Sequence, residues 1–339
     1  MLLMLGLCFL LFSAFPLAFS ERCHPQDKKA LLQLQKDLGN PYHIISWNAK
    51  EDCCEWFCCV KCDEKTNRVI SVALSSPFPD TNLSAQIPPS VGDLPYLESL
   101  VFHKFPKLVG PIQPAIAKLT KLKYLDLSNN NLSGPIPDFF AQLKNLDDID
   151  LSFNNLSGPI PSSLGKLPKL AYLDLSRNKL TGSIPASFGS FQKPGPAIML
   201  SKNQLSGRLP ASLANLDSDR IDLSRNKLEG DASMLFGSNK RTWSLDLSRN
   251  NFAFDLSRVE IPHKTLARLD LNHNKIYGSL PVGLTKVEHF QLFDVSYNQL
   301  CGLIPKGGEL QKIDKSLYSH NKCLCGSPLS PCNHKQMTV

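Results

Sequence analysis

The hydrophobic positions of this chain repeat with a period of about 24 residues. One copy, residues 122–137, reads Leu-x-x-Leu-x-Leu-x-x-Asn-x-Leu-x-Gly-x-Ile-Pro. Its asparagine recurs at spacings of 24, 24, 25, 23, 24, 24 and 24 residues. The positions are Asn130, Asn154, Asn178, Asn203, Asn226, Asn250, Asn274 and Asn298. Repetition in register predicts a solenoid in which each unit adds one short strand and shares its leucines with its neighbours.

This period and consensus are those of the leucine-rich repeat. We therefore predict an α/β solenoid, a leucine-rich repeat superhelix of about ten 24-residue repeats with a disulfide-stapled cap at each end. Each asparagine is expected to satisfy backbone groups where the chain leaves the strand. The predicted parts are a signal peptide (1–20), an N-terminal cysteine-rich cap (21–68), the leucine-rich repeats (69–300), and a C-terminal cysteine cap with a tail (301–339).

The first twenty residues carry no charged side chain and end in small residues before Glu21, which is typical of a secretory signal peptide. No second long apolar run follows, so no membrane span is expected. In the N-terminal cap, apolar positions from Pro25 to Leu38 recur at helical spacing and predict a helix. Trp47 and Trp56 are expected to close the open end of the core.

Cysteine residues cluster at the two ends of the mature chain. They are Cys23, Cys53, Cys54, Cys58, Cys59 and Cys62, then Cys301, Cys323, Cys325 and Cys332. The spacing in the first group also suits zinc, but a secreted chain whose end repeats need stapling favours disulfides, and no metal site is predicted.

Side chains alternate along each predicted strand, so the x residues of Leu-x-Leu stand on one face, the concave face. An acidic column runs along this face: Asp126, Asp150, Asp174, Asp222, Asp246, Asp270 and Asp294, interrupted by Met199. A largely basic column lies beside it and contains Phe153, Arg177, Lys202, Arg225, Arg249, His273 and Tyr297. Trp243 is a further aromatic residue on this face.

Two interpretations of these columns are compatible. The aspartates could pair with neighbouring serines and keep the sheet soluble, or the face could bind a partner. Phe153, Met199, Trp243, His273 and Tyr297 depart from the consensus and resemble interface anchors surrounded by charges. All the residues of the two columns, with Trp243, are therefore candidates for partner binding.

No catalytic motif competes with a binding function. The chain lacks Gly-x-Ser-x-Gly, His-Glu-x-x-His and a phosphate-binding glycine loop, so neither enzymatic activity nor a cofactor is predicted. The net charge of +7 is spread along the chain without a basic run, which argues against nucleic acid as a partner. Three sequons, at Asn82, Asn131 and Asn155, are candidate glycosylation sites.

The units ending in Leu-Ser-Gly-Pro-Ile-Pro are of the plant extracellular type, and the chain resembles the polygalacturonase-inhibiting proteins of plant cell walls. Matching segments include both caps and span the mature chain. They are residues 23–32, 52–58, 92–98, 110–119, 228–237, 272–278 and 323–329.

This resemblance implies a secreted, monomeric protein of the plant cell wall, or apoplast. It would bind fungal or insect endo-polygalacturonases through the concave face, limit pectin breakdown in plant defence, and contact pectin or pectate. It also implies four disulfides: Cys23–Cys53, Cys54–Cys62, Cys301–Cys323 and Cys325–Cys332. Cys59 departs from the family pattern, and because adjacent cysteines seldom bridge one another, Cys58 and Cys59 receive no partner.

Two alternatives belong to other functional classes. One is a soluble receptor-like ectodomain that binds a peptide or steroid, although no membrane span or kinase accompanies it. The other is an ice-binding protein on the same scaffold, which needs a flat array of uncharged hydrogen-bonding groups. The column that follows the asparagines is regular but contains lysines: Asn131, Asn155, Lys179, Gln204, Lys227, Asn251, Lys275 and Gln299.

Overall fold

The computed structural model describes residues 21–75 and 85–333. The predicted signal peptide (1–20) and the sequon at Asn82 lie outside these residues. Within them, the chain forms one α-helix, Pro25–Asp37, as the helical spacing predicted. Asp27 in the first turn of this helix is buried and accepts hydrogen bonds from Arg68 and from the backbone N–H of Val69, which fixes the helix to the first repeat.

The described chain forms one long sheet of 11 strands. The first two strands pair antiparallel, and every later pair is parallel. In order, the strands are Val60–Cys62, Val69–Ser75, Ser99–His103, Tyr124–Asp126, Asp148–Asp150, Tyr172–Asp174, Ala197–Met199, Arg220–Asp222, Ser244–Asp246, Arg268–Asp270 and Leu292–Asp294. The strand order follows the chain, which confirms the predicted leucine-rich repeat solenoid.

Short 3₁₀ segments return the chain from one strand to the next. In the repeats, the Ile-Pro motif starts them: Ile136 is buried in the core, and Pro137 caps the following segment with φ of −76°. Proline suits this position because its ring restricts φ to such values. The segments between strands are Pro89–Asp93, Pro114–Lys118, Asp138–Gln142, Ser162–Lys166, Ala186–Ser190, Ala211–Asn215, Ser233–Leu235, Leu256–Arg258, Val282–Lys286 and Lys315–Tyr318. Two others, Tyr42–Ile44 and Cys53–Glu55, lie in the N-terminal cap before the first strand.

Each regular repeat also contributes a second short strand, which the sequence analysis did not predict. These strands form three small parallel sheets in the described chain. The sheets are Val109–Gly110, Asn131–Gly134, Asn155–Pro159 and Lys179–Thr181; then Ser206–Arg208, Lys227–Gly230 and Asn251–Phe252; then Tyr277–Gly278, Gln299–Leu303 and Cys323–Cys325. The core lies between them, the long sheet and the 3₁₀ segments, and leucines from both kinds of strand fill it.

The two caps are closed as predicted, with one correction. The described residues contain five disulfides, including the four that the family resemblance implied. The fifth joins Cys58 to Cys59, so the expectation that these two cysteines would not bridge each other is wrong. With Cys54 bonded to Cys62, each is the nearest partner left for the other. Trp47 and Trp56 are buried and stacked 5.1 Å apart, which confirms their role at the end of the core.

The C-terminal cap contains one further turn of the repeat, and we call each such turn of the solenoid a rung. Asn321 donates hydrogen bonds to the carbonyls of Val295 and Tyr318 and accepts one from the N–H of Leu300. The repeat asparagines make the same set of contacts. Buried Tyr318 stands where the consensus has leucine, which hid this rung in the sequence.

Candidate partner-binding face

The asparagines of the repeat form a ladder that holds the edge of the long sheet. Asn226 is a representative member: its amide donates to the carbonyls of Leu200 and Leu223, and its side-chain oxygen accepts from the N–H of Leu205. These three groups lie where the chain bends out of the strand, and no strand partner reaches them. The predicted role of the asparagine in satisfying the backbone is therefore confirmed.

The basic column precedes the asparagines and has an unusual backbone conformation. Its members have φ between +53° and +64°: Lys104, Asn129, Phe153, Arg177, Lys202, Arg225, Arg249, His273, Tyr297 and His320. Residues other than glycine seldom adopt positive φ, and they do so where the surrounding structure enforces it. Here the ladder asparagine follows directly, and the N–H of Arg177 donates to the carbonyl of Ser201 in the next repeat. The bend turns each side chain outward.

Several of these side chains stack on one another. The rings of His273 and Tyr297 lie 4.2 Å apart, and those of Tyr297 and His320 lie 4.1 Å apart. The guanidinium of Arg177 sits over the ring of Phe153 at 4.4 Å. Stacking of this kind restrains large side chains on an open surface and prepares them for contact with a partner.

Each aspartate of the acidic column stabilises its own turn. Its Oδ1 atom accepts a hydrogen bond from the backbone N–H two residues later, at 2.8–3.1 Å. The donors are Ser128, Ser152, Ser176, Ser224, Ser248, Asn272 and Ser296. This pairing agrees with the first interpretation of the column. The second oxygen has a partner within the protein in Asp174, which accepts from the hydroxyl of Tyr172, and in Asp294, which accepts from the amide of Asn272. In Asp222 the turn leaves the second oxygen available to a partner.

Two aspartates on this face bind protons near neutral pH. Burial, and then the neighbouring charge of Asp150, raises the pKa of Asp148 to about 6. Burial, and then the charge of Asp246, raises the pKa of Asp270 to about 7. Partial desolvation disfavours the ionised carboxylates, and repulsion between carboxylates on adjacent strands adds to the effect. The charge of the acidic column therefore depends on pH.

This dependence predicts that the free energy of unfolding falls as the pH rises from about 4 to 7. In the unfolded chain both aspartates ionise near the ordinary value of 3.8, whereas the folded protein retains their protons to about pH 6 and 7. The stabilisation is therefore complete below pH 4 and is lost as the pH passes the folded-state pKa values. After allowance for solvent screening, we expect a loss on the order of 2 kcal/mol.

Urea unfolding at several pH values would measure this loss by comparing the parent with the double variant Asp148→Asn, Asp270→Asn. Asparagine keeps an acceptor oxygen for the N–H of Asn272 but does not titrate in this range. The variant should lose less stability than the parent between pH 4 and 7. An identical pH dependence in the two proteins would contradict the prediction.

The exposed members of the face are mostly those that the sequence predicted. Phe153 is 44% exposed, Tyr297 45% and Trp243 39%. Met199 is a correction, since only 7% of it is exposed. Its register places it between Asp174 and Asp222, where an apolar side chain gains by packing against the sheet rather than extending into water.

Sequence reasoning missed the first outward column of the long sheet. This column contains Tyr124, Asp148 and Tyr172, and the hydroxyl of Tyr172 donates to Asp174. The sequence does contain a signal for this column, because a tyrosine or an aspartate stands two residues before each of the first three aspartates of the acidic column. His320 was missed because its rung belongs to the cap.

Of the sequons in the described residues, Asn131 is exposed and Asn155 is half-buried, and both lie on a small sheet rather than on the concave face.

The comparisons with known proteins agree with this architecture. Residues 24–63 match the model of the leucine rich repeat N-terminal domain, and residues 112–156 and 169–191 match leucine rich repeat models. Within residues 21–75 and 85–333, no helix is long and apolar enough to cross a membrane.

Among solved structures, a plant ice-binding protein is similar, with a TM-score of 0.88 and 50% identity, covering 92% of this chain and 99% of that one. Polygalacturonase inhibitor 1 of Arabidopsis thaliana is 58% identical and covers 92% of this chain and 93% of the relative. The polygalacturonase inhibitor of Pyrus communis is 57% identical over 97% of both chains. The chain therefore belongs to the polygalacturonase inhibitor family of leucine-rich repeat proteins.

Proposed function

We propose that this protein is a secreted, monomeric inhibitor of fungal or insect endo-polygalacturonases and acts in the plant cell wall. The observation that carries the proposal is its identity of 55–58% to four polygalacturonase inhibitors over more than nine-tenths of its length. Those relatives are named for inhibition rather than for catalysis. The open concave face suits a binding role, because it carries exposed aromatic side chains on a rigid polar sheet.

The acidic column gives the concave face a chemical match to such an enzyme. An enzyme that grips polyanionic pectate must line its cleft with cations, and a column of aspartates complements them. In Asp222, one oxygen is held by the turn while the other can face the partner. Phe153, Trp243 and Tyr297 supply apolar contact area beside these charges, as interface anchors do.

The basic column supports a second contact, with pectate itself. Arg177, Lys202, Arg225 and Arg249 follow one another in the bends after successive strands of the long sheet. Desolvation, and then the neighbouring charges of Arg177 and Arg225, lowers the pKa of Lys202. The second cause is repulsion between these cations. A polyanion would relieve that repulsion. Such a tether weakens as salt rises, because exposed charges are screened over about 8 Å at physiological ionic strength.

Central aspartates provide the test of the concave face. Replacing Asp174 or Asp222 with asparagine retains an acceptor for the backbone N–H but removes the charge. We expect enzyme binding to weaken by roughly 1–3 kcal/mol, about five- to 150-fold, if the charge pairs directly in a desolvated contact. Calorimetric titration of a susceptible polygalacturonase, in the absence of pectin, would measure the change.

Lys227→Gln is the matched control. Lys227 is exposed on a small sheet, away from the concave face, and its replacement by glutamine changes the net charge by one unit, as each aspartate replacement does. It should leave enzyme binding within twofold of the parent. Circular dichroism would establish that all three variants are folded. If the two aspartate variants bound as well as the parent while Lys227→Gln did not, the enzyme would dock on the other face.

Ice binding is a second candidate, favoured by the close structural similarity to the plant ice-binding protein. The column that follows the ladder asparagines has the required regularity, but lysines occupy every second rung from Lys179 to Lys275. Ammonium groups are strongly hydrated and interrupt a flat uncharged array. A measured thermal hysteresis or inhibition of ice recrystallisation would support this candidate over the inhibitor.

A further inference from the structure

The arginine notch is a small cavity on the concave face, formed over three adjacent strands of the long sheet. Its volume is about 60 Å³, and its lining includes Arg220, Ser244 and Arg268, which continue the first outward column. A water-sized group needs roughly 10–15 Å³, so the notch takes a carboxylate group but not a whole sugar ring. The sequence analysis named none of these three residues as a candidate.

The strand register places the two arginines on either side of the serine. Ser244 pairs with Arg220 on one side and with Arg268 on the other. Neighbouring strands lie about 4.8 Å apart, so the Cα atoms of the two arginines are separated by roughly 10 Å. The three strands are consecutive in one sheet, which fixes this spacing. Both long side chains can therefore reach a group that sits over Ser244.

The polar groups of the notch have no partner within the described chain. In residues 21–75 and 85–333, the guanidinium groups of Arg220 and Arg268 make neither an ion pair nor a hydrogen bond. Ser244 is only 7% exposed, and its hydroxyl has no hydrogen-bond partner in the same part of the chain. Polar groups held out of bulk water usually have partners. A buried serine without one, in the lining of a cavity between two unpaired arginines, indicates a bound group.

These donors define the chemistry of that group. A guanidinium offers only N–H donors and binds a carboxylate through two parallel hydrogen bonds, and the serine hydroxyl adds a further donor. The rest of the notch is acidic, because Asp222, Asp246 and Asp270 also line it. A polyuronate carries a carboxylate on every ring, so these aspartates would repel it. A single carboxylate with cations or hydrogen-bond donors around it suits both sides of the notch, and a protein surface can supply this arrangement.

We propose that the arginine notch determines specificity by binding one aspartate or glutamate side chain of the polygalacturonase. This inference rests on the proposed function and adds a second recognition element to it. A glycosidase that cleaves a polyuronate presents carboxylates as well as cations, because its chemistry uses a pair of acidic residues. The acidic column complements the cations, and the notch complements a carboxylate. An enzyme with a basic residue at this contact would be rejected, because its charge would face two unpaired arginines.

The test is the double variant Arg220→Gln, Arg268→Gln, titrated calorimetrically with a susceptible polygalacturonase in the absence of pectin. If the enzyme surface facing the notch were only cationic, the removal of two positive charges would strengthen binding. With an enzyme carboxylate in the notch, we expect binding to weaken roughly ten- to a hundredfold, because the carboxylate loses its charge-assisted hydrogen bonds. Ser244→Asp should also weaken binding, because it places the protein's own carboxylate in the notch.

Arg208→Gln, Arg258→Gln is the matched control. Both arginines are exposed away from the concave face, on a small sheet and a 3₁₀ segment, and the same two charges are removed. The control should bind the enzyme within about twofold of the parent. Circular dichroism would establish that all the variants are folded.

A double-mutant cycle would identify the enzyme residue that fills the notch. Acidic residues of the enzyme are replaced one at a time by the corresponding amide. The replacement at the notch should weaken binding to the parent but have little effect on binding to the double variant, because the two changes remove the same interaction.

The outcomes separate this proposal from the proposed function. If the parent binds the enzyme and the double variant binds as tightly as the control or more tightly, or if no acidic residue of the enzyme shows coupling, the notch proposal is wrong and the proposed function stands. A parent that bound no polygalacturonase would overturn both. If the double variant lost affinity for oligogalacturonates and kept its affinity for the enzyme, the notch would be a sugar-acid site and the proposal would be wrong.

Discussion

Asn226→Ala is expected to lower the free energy of unfolding by roughly 3–5 kcal/mol. The substitution leaves the N–H of Leu205 without its partner and removes one of two side-chain donors from the carbonyls of Leu200 and Leu223, which keep Asn203 and Asn250. Asn226 is buried, so water replaces these hydrogen bonds incompletely. The unpaired N–H costs about 1–3 kcal/mol, and each lost hydrogen bond to a carbonyl costs about 1 kcal/mol. Urea unfolding followed by circular dichroism would measure the change.

Asn251→Ala provides the matched control for this experiment. It removes the same side chain from an exposed position on a small sheet, where no hydrogen bond depends on it among the described residues. Surface substitutions of this kind change stability by about 0.5 kcal/mol or less. Similar losses in the two variants would show that the ladder asparagine contributes no more than an exposed asparagine.

Removal of the Cys301–Cys323 disulfide is expected to destabilise the protein by about 3 kcal/mol. The bond closes a loop with a sequence separation of 22, and the cost follows from the greater freedom of the unfolded chain. Cys301 is also buried on a strand that pairs with Cys323–Cys325, so the loss falls on the edge of the last small sheet. Serine at both positions, followed by urea unfolding, would measure the effect.

The second disulfide of this cap supplies the comparison. Cys325 and Cys332 are separated by 7, and the same relation gives about 2 kcal/mol for their removal. The Cys301, Cys323 variant should therefore be the less stable of the two. Mass mapping of the parent under non-reducing conditions provides a direct check, because free thiols at both Cys301 and Cys323 would refute the predicted pairing.

The sequence predicted the features that depend on local periodicity. A period of 24 residues placed one strand, one ladder asparagine and one Ile-Pro turn in every regular unit, because leucines must enter a core shared between neighbouring repeats. Alternation along the strand then placed the acidic column on one face. The sequence analysis did not predict the positive φ of the basic column, which recurs at the bend after each strand of the long sheet.

Features that depend on distances between repeats were visible only in the tertiary structure. Met199 is buried because of the strands on either side. Asp148 and Asp270 hold protons because the folded sheet partly buries them and brings other carboxylates beside them. Side-chain burial and coupling between charges depend on separations of a few ångströms, which a linear sequence does not specify.

What the sequence by itself determined is the repeat and the acidic column on the outward face of the long sheet. Only the tertiary structure decided which residues complete each turn of the repeat and how each turn is joined to the next. The further rung at Asn321 and the second set of strands depend on residues brought together from neighbouring turns of the solenoid. Hydrogen bonds to the next repeat form only after the repeats have stacked, which is the physical reason for the difference.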